Sequence, residues 1–199
     1  MNNAQNDYIN SVNLNVGSDF PYLVLNVVND QSYPRNPGFQ VMHWHEDLQF
    51  IYVLDGEIEL KTLDASVRAD QGSGIFINKN VIHHVKETFP CRYNSFIFPD
   101  YFLKFYFGSP AAAFVERIVG KDELPICCFP KDMDWCKSIL SLFSRLADLE
   151  NGKTAFYAYE VLCLLSALWL EVCRNLRLPS KNADIVMGAR MQKFLQYIS

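Results

Sequence analysis

A mainly β protein with its helices gathered at the C-terminal end is the fold class that this sequence predicts. Between Pro21 and Phe98 the chain is a series of short alternating or β-branched segments broken by turn clusters. After Pro99 the apolar spacing lengthens from two residues to three and four, the period of helices. The chain has 199 residues, 50% of them hydrophobic, which suits one core with an appendage better than two full domains.

Residues 1–20 are rich in Asn and carry little pattern, so they are expected to form a loose arm or an edge strand. Pro21–Val28 (PYLVLNVV) reads as the first strand and 29–38 (NDQSYPRNPG) as a turn-rich loop. Gln49–Leu54 runs into Asp55-Gly56, a pair suited to a tight hairpin turn. Ile58 and Leu60 then alternate with Glu57, Glu59 and Lys61, the pattern of a half-buried strand. A turn cluster at 70–74 (DQGSG) precedes Ile75–Ile77, and 78–80 turns the chain into Val81–Val85. Arg92–Phe98 closes the set. Strands at this spacing predict a small antiparallel barrel or double-sheet roll lined by Phe and Ile.

Tyr101–Phe107 is aromatic and opens a short helix, and Ala111–Val119 reads as a helix stopped by Gly120. Asp134–Leu149 places Ile139, Leu142, Phe143, Leu146 and Leu149 at helical spacing. Lys153–Leu176 is the longest helix, with Leu164, Leu165, Leu168 and Val172 on one face and Trp169 beside them. That apolar surface is broader than one supporting sheet covers. The helix pair is therefore expected to serve a homodimer through Leu142, Phe143, Leu146, Leu164, Leu165 and Leu168; burial within the monomer is the alternative. Residues 178–182 (LPSKN) have linker composition. The amphipathic start at 189–199 stops after a few turns, as expected of a piece of something longer.

The formal net charge is −4, with no basic stripe of the kind that phosphate backbones require, so this chain alone is not expected to bind nucleic acid. The polar N-terminus lacks the features of a secretory signal. The longest apolar run, Val161–Leu170, is far short of the roughly 20 residues of a membrane span. A cytoplasmic protein without membrane contact is expected. Its six cysteines show no CxxC spacing and read as small apolar residues of a reducing compartment, with disulfide, redox or metal roles as the alternative.

The chemistry concentrates in 38–56, GFQVMHWHEDLQFIYVLDG. His43 and His45 lie two apart in strand-like surroundings, so both imidazoles reach one side, where His83 from a second strand can join them. Trp44 and His84 alternate away from that cavity. Glu46 and Asp47 read as solvated turn residues rather than acid–base catalysts. The three imidazoles admit a metal, a small ligand, or a satisfied core.

His43, His45, Gln49 and Gly56, as HxHxxxQxxxxxxG, are similar to the first cupin motif, and Gly72–His83 resembles the second. More specifically, HWHEDLQFIYVLDGEIEL, then QGSGIFINKNVIHHV, then the helices, resembles the N-terminal sensing domain of AraC/XylS-type transcriptional regulators. The tail RMQKFLQYIS looks like the opening of their helix-turn-helix domain.

The resemblance implies a cupin-like antiparallel barrel (jelly roll) over 21–99, an arm at 1–20, a helical dimerisation segment at 100–177, and linker plus truncated helix-turn-helix at 178–199. It implies a non-enzymatic domain that requires no cofactor. A small polar effector, a sugar or organic acid, is expected at His43, His45, Gln49 and His83, with DNA bound only through the missing C-terminal domain. The alternative is a metal-dependent or metal-binding cupin in which His43, His45 and His83 hold a divalent transition metal. Gln49 stands where metal-binding cupins carry glutamate, which weakens that alternative, and Lys79 stands where the second motif usually has proline.

Overall fold

The expected roll of strands followed by helices is present in the computed structural model, which describes residues 8–119 and 124–176. Among the described residues the strands are β1 (Ile9–Asn10), β2 (Leu23–Val28), β3 (Gln31–Tyr33), β4 (His43–Trp44), β5 (Leu48–Thr62), β6 (Ser66–Asp70), β7 (Gly74–Ile77), β8 (His83–Phe98) and β9 (Ile126–Phe129). They form one curled sheet whose spine is the long antiparallel pair β5–β8. One leaf of the roll holds β3, β2, the C-terminal half of β8, the N-terminal half of β5, β7 and β9. The other holds β1, β4, the remaining halves of β8 and β5, and β6.

Where a hairpin turn is expected at Asp55-Gly56, β5 continues instead. Its register against β8 shifts between Val53 and Asp55 and again between Asp55 and Glu57. Gly56 takes φ 73, so the freedom that a turn would use here bends a strand from one leaf into the other. The bulge is also tight: a Cβ on Gly56 would lie 2.2 Å from the Pro90 carbonyl oxygen.

Strand alternation sends side chains into two cores. Ile51 and Val53 enter the lumen of the roll with Leu25, Ile75, Tyr93 and Ile97. Leu48 and Phe50 face the other way, with Phe76, Phe96, Phe98 and Phe129, toward the helices. The strands between the two cores are covered on both sides, so β7 and β9 are buried at every position.

β9 (ICCF) interrupts the 100–177 segment expected to be helical and pairs with β7 from Gly74↔Phe129 to Ile77↔Ile126. Its cysteines do serve as small apolar residues, Cys127 toward the helices and Cys128 in the lumen, and burial pushes both thiols up. Cys91 and Cys136 are buried as well, whereas Cys163 is exposed and Cys173 half-buried.

The helices are α1 (Ala112–Glu116), shorter than expected, α2 (Lys137–Leu149) and α3 (Tyr157–Leu176). Phe143 of α2 is the hub of their seat on the sheet. It stacks on Tyr52 at 5.8 Å, meets Phe50 edge-on at 5.3 Å, and covers Gly74, where a Cβ would lie 2.8 Å from its ring. Trp169 of α3 meets Phe76 at 5.7 Å.

This seat corrects the expected dimerisation face. Phe143, Leu146, Leu164, Leu165 and Leu168 all lie in the monomer's own core, and Leu142 packs partly buried against it. The apolar surface of α3 is broad because the sheet covers it on one side and α2 on another.

Of the N-terminal segment, the described part runs at the edge of the sheet. β1 pairs in parallel with β4, and the Ser11 amide donates to the Trp44 carbonyl at 2.8 Å. The expected linker and truncated domain at 178–199 lie outside the described residues. Among the described residues no helix is long and apolar enough to cross a membrane.

Candidate functional site

β4 and β8 set His43 and His83 directly opposite one another in antiparallel register. The loop after β4 brings in His45, whose carbonyl accepts from the Asn80 amide at 2.8 Å in the turn before β8. The ring centroids of His83 lie 4.4 Å from His43 and 5.2 Å from His45, and one ring nitrogen of each histidine falls within 4.8 Å of the other two. All three side chains are buried, with 0 to 2% exposure. The three expected site histidines thus meet, and Gln49 joins them from β5.

The protons can be assigned from the hydrogen bonds. Nδ1 of His43 lies 2.7 Å from the Val41 carbonyl, Nδ1 of His45 2.9 Å from the Asp47 carbonyl, and Nδ1 of His83 2.9 Å from the Val81 carbonyl. A carbonyl only accepts, so each ring carries its proton on Nδ1. Burial disfavours the second proton. It lowers His43 to about 4, lowers His45, and with the neighbouring histidines lowers His83 well below the usual range. At neutral pH three uncharged rings therefore present three Nε2 lone pairs.

Those lone pairs are poorly served. His83 Nε2 is buried with no hydrogen-bond partner among the described residues. His45 Nε2 lies 2.9 Å from Oε1 of Gln49, two acceptors facing each other if the ring is neutral. The amide's two ends are nearly isosteric, and turning it over resolves the conflict. Gln49 Nε2 then donates to His45, and Gln49 Oε1 accepts from the Ser95 hydroxyl, the atom that holds the other end of the amide at 2.7 Å.

Such a set of acceptors suits a partner that brings donors or positive charge. Three imidazole nitrogens fit zinc, nickel or iron and leave coordination positions free, although Gln49 supplies no anionic ligand. Ser95 escapes the sequence reading. Its signal was a lone polar residue at an inward position, between Tyr93 and Ile97 on β8.

The neighbours fall outside the cluster. Trp44 and His84 are half-buried. Asp47 contributes its carbonyl, and burial raises its carboxyl pKa. Lys79 is paired with Asp100 at 3.2 Å, and Asp100 also holds Lys104 at 3.2 Å, so this lysine ties the turn before β8 to the chain after it.

Residues 31–97 match the family model for the cupin domain. The chain is 24% identical over 165 residues to YdeC of Bacillus subtilis (strain 168), an uncharacterised HTH-type transcriptional regulator. That alignment covers 81% of this chain but 56% of the relative, so the chain spans little more than half of that protein's length. Among solved structures, an apo variant of ToxT from Vibrio cholerae matches with a TM-score of 0.51 at 9% identity, over 88% of this chain and 64% of that one. Wild-type ToxT from the same species, bound to an unsaturated fatty acid, also gives 0.51, at 10% identity over 86% and 63% of the two chains.

Proposed function

We propose that this chain, which carries a cupin domain over 31–97 and is similar to an HTH-type regulator, is the effector-sensing part of an AraC-type transcriptional regulator. In this reading His43, His45, Gln49 and His83 recognise the effector. One observation carries it: three neutral imidazoles converge in the lumen with a buried Nε2 left unpartnered. Buried polar groups are normally satisfied, so the site has binding capacity in reserve. A hydroxyl-rich metabolite, of the sugar kind, supplies the missing donors. An ionised carboxylate would add acceptors to acceptors, and it is disfavoured.

The histidines are closed to solvent, so such an effector needs an opening. The arm is the natural moving part, because a two-residue strand and the Ser11 bond tie it to the strand that carries His43. Its Val12, Leu14 and Val16 are 54, 49 and 66% exposed, and the residues it does bury, Ser11 and Asn13, are polar, so hydrogen bonds rather than apolar burial hold it down. An effector that prefers the open arm shifts the population toward it and changes how a DNA-binding segment and a second subunit are presented. The fatty-acid complex of ToxT shows that a protein of this fold binds a small molecule, without assigning a ligand class to this chain. Catalysis is not part of this reading, since Gln49 stands where metal-binding cupins carry a glutamate ligand. Burial of Phe143, Leu146, Leu164, Leu165 and Leu168 in the monomer core leaves only the partly buried Leu142, of the six, for a subunit interface.

Thermal-shift screening with sugars, polyols and organic acids tests the reading. A hydroxylated compound is expected to raise the midpoint of the wild type and not that of His45→Ala. A panel without any shift, or an equal shift in His45→Ala, overturns it. The nitrogen geometry also favours a second reading, a divalent metal held by His43, His45 and His83. Metal content of protein purified without added metal, compared with His43→Ala, decides that one; less than about a tenth of an equivalent rules it out.

A further inference from the structure

Away from the lumen, α1, α3 and the 3-10 turn at Asp100–Leu103 with the residues that follow it enclose a pocket of about 490 Å³, within the range of small-molecule sites. Leu103, Phe105, Phe114, Ala167, Trp169 and Leu170 form its apolar wall. Three of these are large and unusually exposed: Phe105 at 65%, Phe114 at 53% and Leu170 at 49%. Phe105 also holds φ 66, a conformation costly to an aromatic residue, and so the wall is kept in place against local preference.

The charged groups here are both cationic, and the Ser166 hydroxyl, which donates as well as accepts, is the neutral polar group beside them. Arg117, just past the end of α1, and Arg174 of α3 reach the pocket. Arg174 is already paired with Glu171 at 2.7 Å. Arg117 has no carboxylate partner among the described residues, and its guanidinium lies 5.5 Å from the centroid of the Phe114 ring. Trp169, in the wall, keeps a buried indole N–H without an acceptor among the described residues. The Phe114 carbonyl accepts from the Cys173 thiol at 3.8 Å.

We infer that this pocket is a second ligand site, independent of the histidine cluster, for an amphipathic monocarboxylate whose hydrocarbon body lies along Phe105, Phe114 and Leu170 and whose carboxylate pairs with Arg117. The unpaired guanidinium selects an anion, and the apolar wall selects a hydrocarbon rather than a hydrated metabolite.

Calorimetric titration with decanoate and decanol, with tryptophan emission followed in parallel, tests it. Decanoate is expected to saturate one site and decanol to bind several-fold more weakly. Arg117→Gln should weaken decanoate about fivefold, the scale of a rim ion pair, and leave decanol unchanged. Arg174→Gln should change little, because that arginine already has its carboxylate. Ala167→Phe fills the pocket and should abolish binding of both, with circular dichroism confirming its fold; Leu170→Trp serves if that variant does not fold. The inference is overturned by absence of saturable decanoate binding, by wild-type affinity in Arg117→Gln, by equal affinity for decanol, or by binding that survives a filled pocket. It is also overturned if the wild type is a dimer that binds no decanoate and the filled variants are monomers, since the face is then a contact between copies.

Discussion

His45 Nε2 and the side-chain amide of Gln49 face each other across 2.9 Å, and the Ser95 hydroxyl holds the far end of that amide at 2.7 Å. Gln49 thereby occupies the one nitrogen that His45 has to offer, since its Nδ1 is committed to the Asp47 carbonyl. Anything bound by the cluster must displace this amide from His45 or share the ring with it.

Gln49→Glu separates the two chemistries of the site. A buried carboxylate there draws a proton onto His45 and makes an ion pair, at a cost of about 2 kcal/mol to the metal-free protein. The same carboxylate completes a three-nitrogen, one-oxygen ligand set. Affinity for nickel or zinc, measured by calorimetry, is expected to rise about tenfold or more. Unchanged affinity would show that the histidines do not form the metal site.

Acid should destabilise the protein before its carboxylates titrate. The histidines are held neutral when folded, and their pKa values lie below those of the unfolded chain. The unfolded state then binds more protons, so stability falls as pH drops below about 6.5. For His43, lowered from 6.5 to about 4, the loss approaches about 3 kcal/mol across that window. Asp47, with its raised pKa, works weakly in the opposite sense near the acid end. Denaturant melts between about pH 7 and pH 5 should show this decline, and His43→Gln should flatten it. A flat wild-type profile would mean that the rings are charged or solvated.

At Gly56, conformation and space can be tested apart. Gly56→Ala meets both a positive φ and the Pro90 carbonyl, and is expected to cost about 3 kcal/mol in chemical denaturation. Gly56→Asn tolerates the φ but not the contact, so it should be nearly as damaging. Gly72 has φ 85 with its nearest atom 3.8 Å away, and Gly72→Asn should cost far less. Equal effects at the two sites would remove the steric role given to the bulge.

Phe143→Ala empties the centre of the helix seat, and a loss of about 3–5 kcal/mol is expected. The loss should be independent of protein concentration, because the ring is buried in the monomer. A midpoint that falls on dilution only in the variant would return Phe143 to a subunit interface.

The cluster was legible because its signal is local: two histidines at strand spacing, and a third beside a turn. Ser95 and the three carbonyls that fix the tautomers were not, since they come from register and loop geometry. Asp55-Gly56 carries the same letters as a hairpin turn, and only the unbroken partner strand β8 makes it a bulge. β9 is four residues long inside a helical stretch, with pairing that depends on an edge formed some fifty residues earlier; Pro125 and Pro130 at its flanks were the local hint. The apolar breadth of α3 is legible in its periodicity, but its cover by the sheet and α2 is not, because periodicity counts covered faces without naming what covers them.

β9 also decides where this protein can be cut. A fragment ending at residue 99 would keep every motif histidine and the whole of β7, yet it would leave Gly74–Ile77 as an apolar outer strand with the backbone groups that face β9 unpaired. Such a strand recruits other chains. The barrel is therefore not a severable module. Its last strand is supplied by the helical half, and expression of the motif region alone should yield aggregate rather than a smaller sensor.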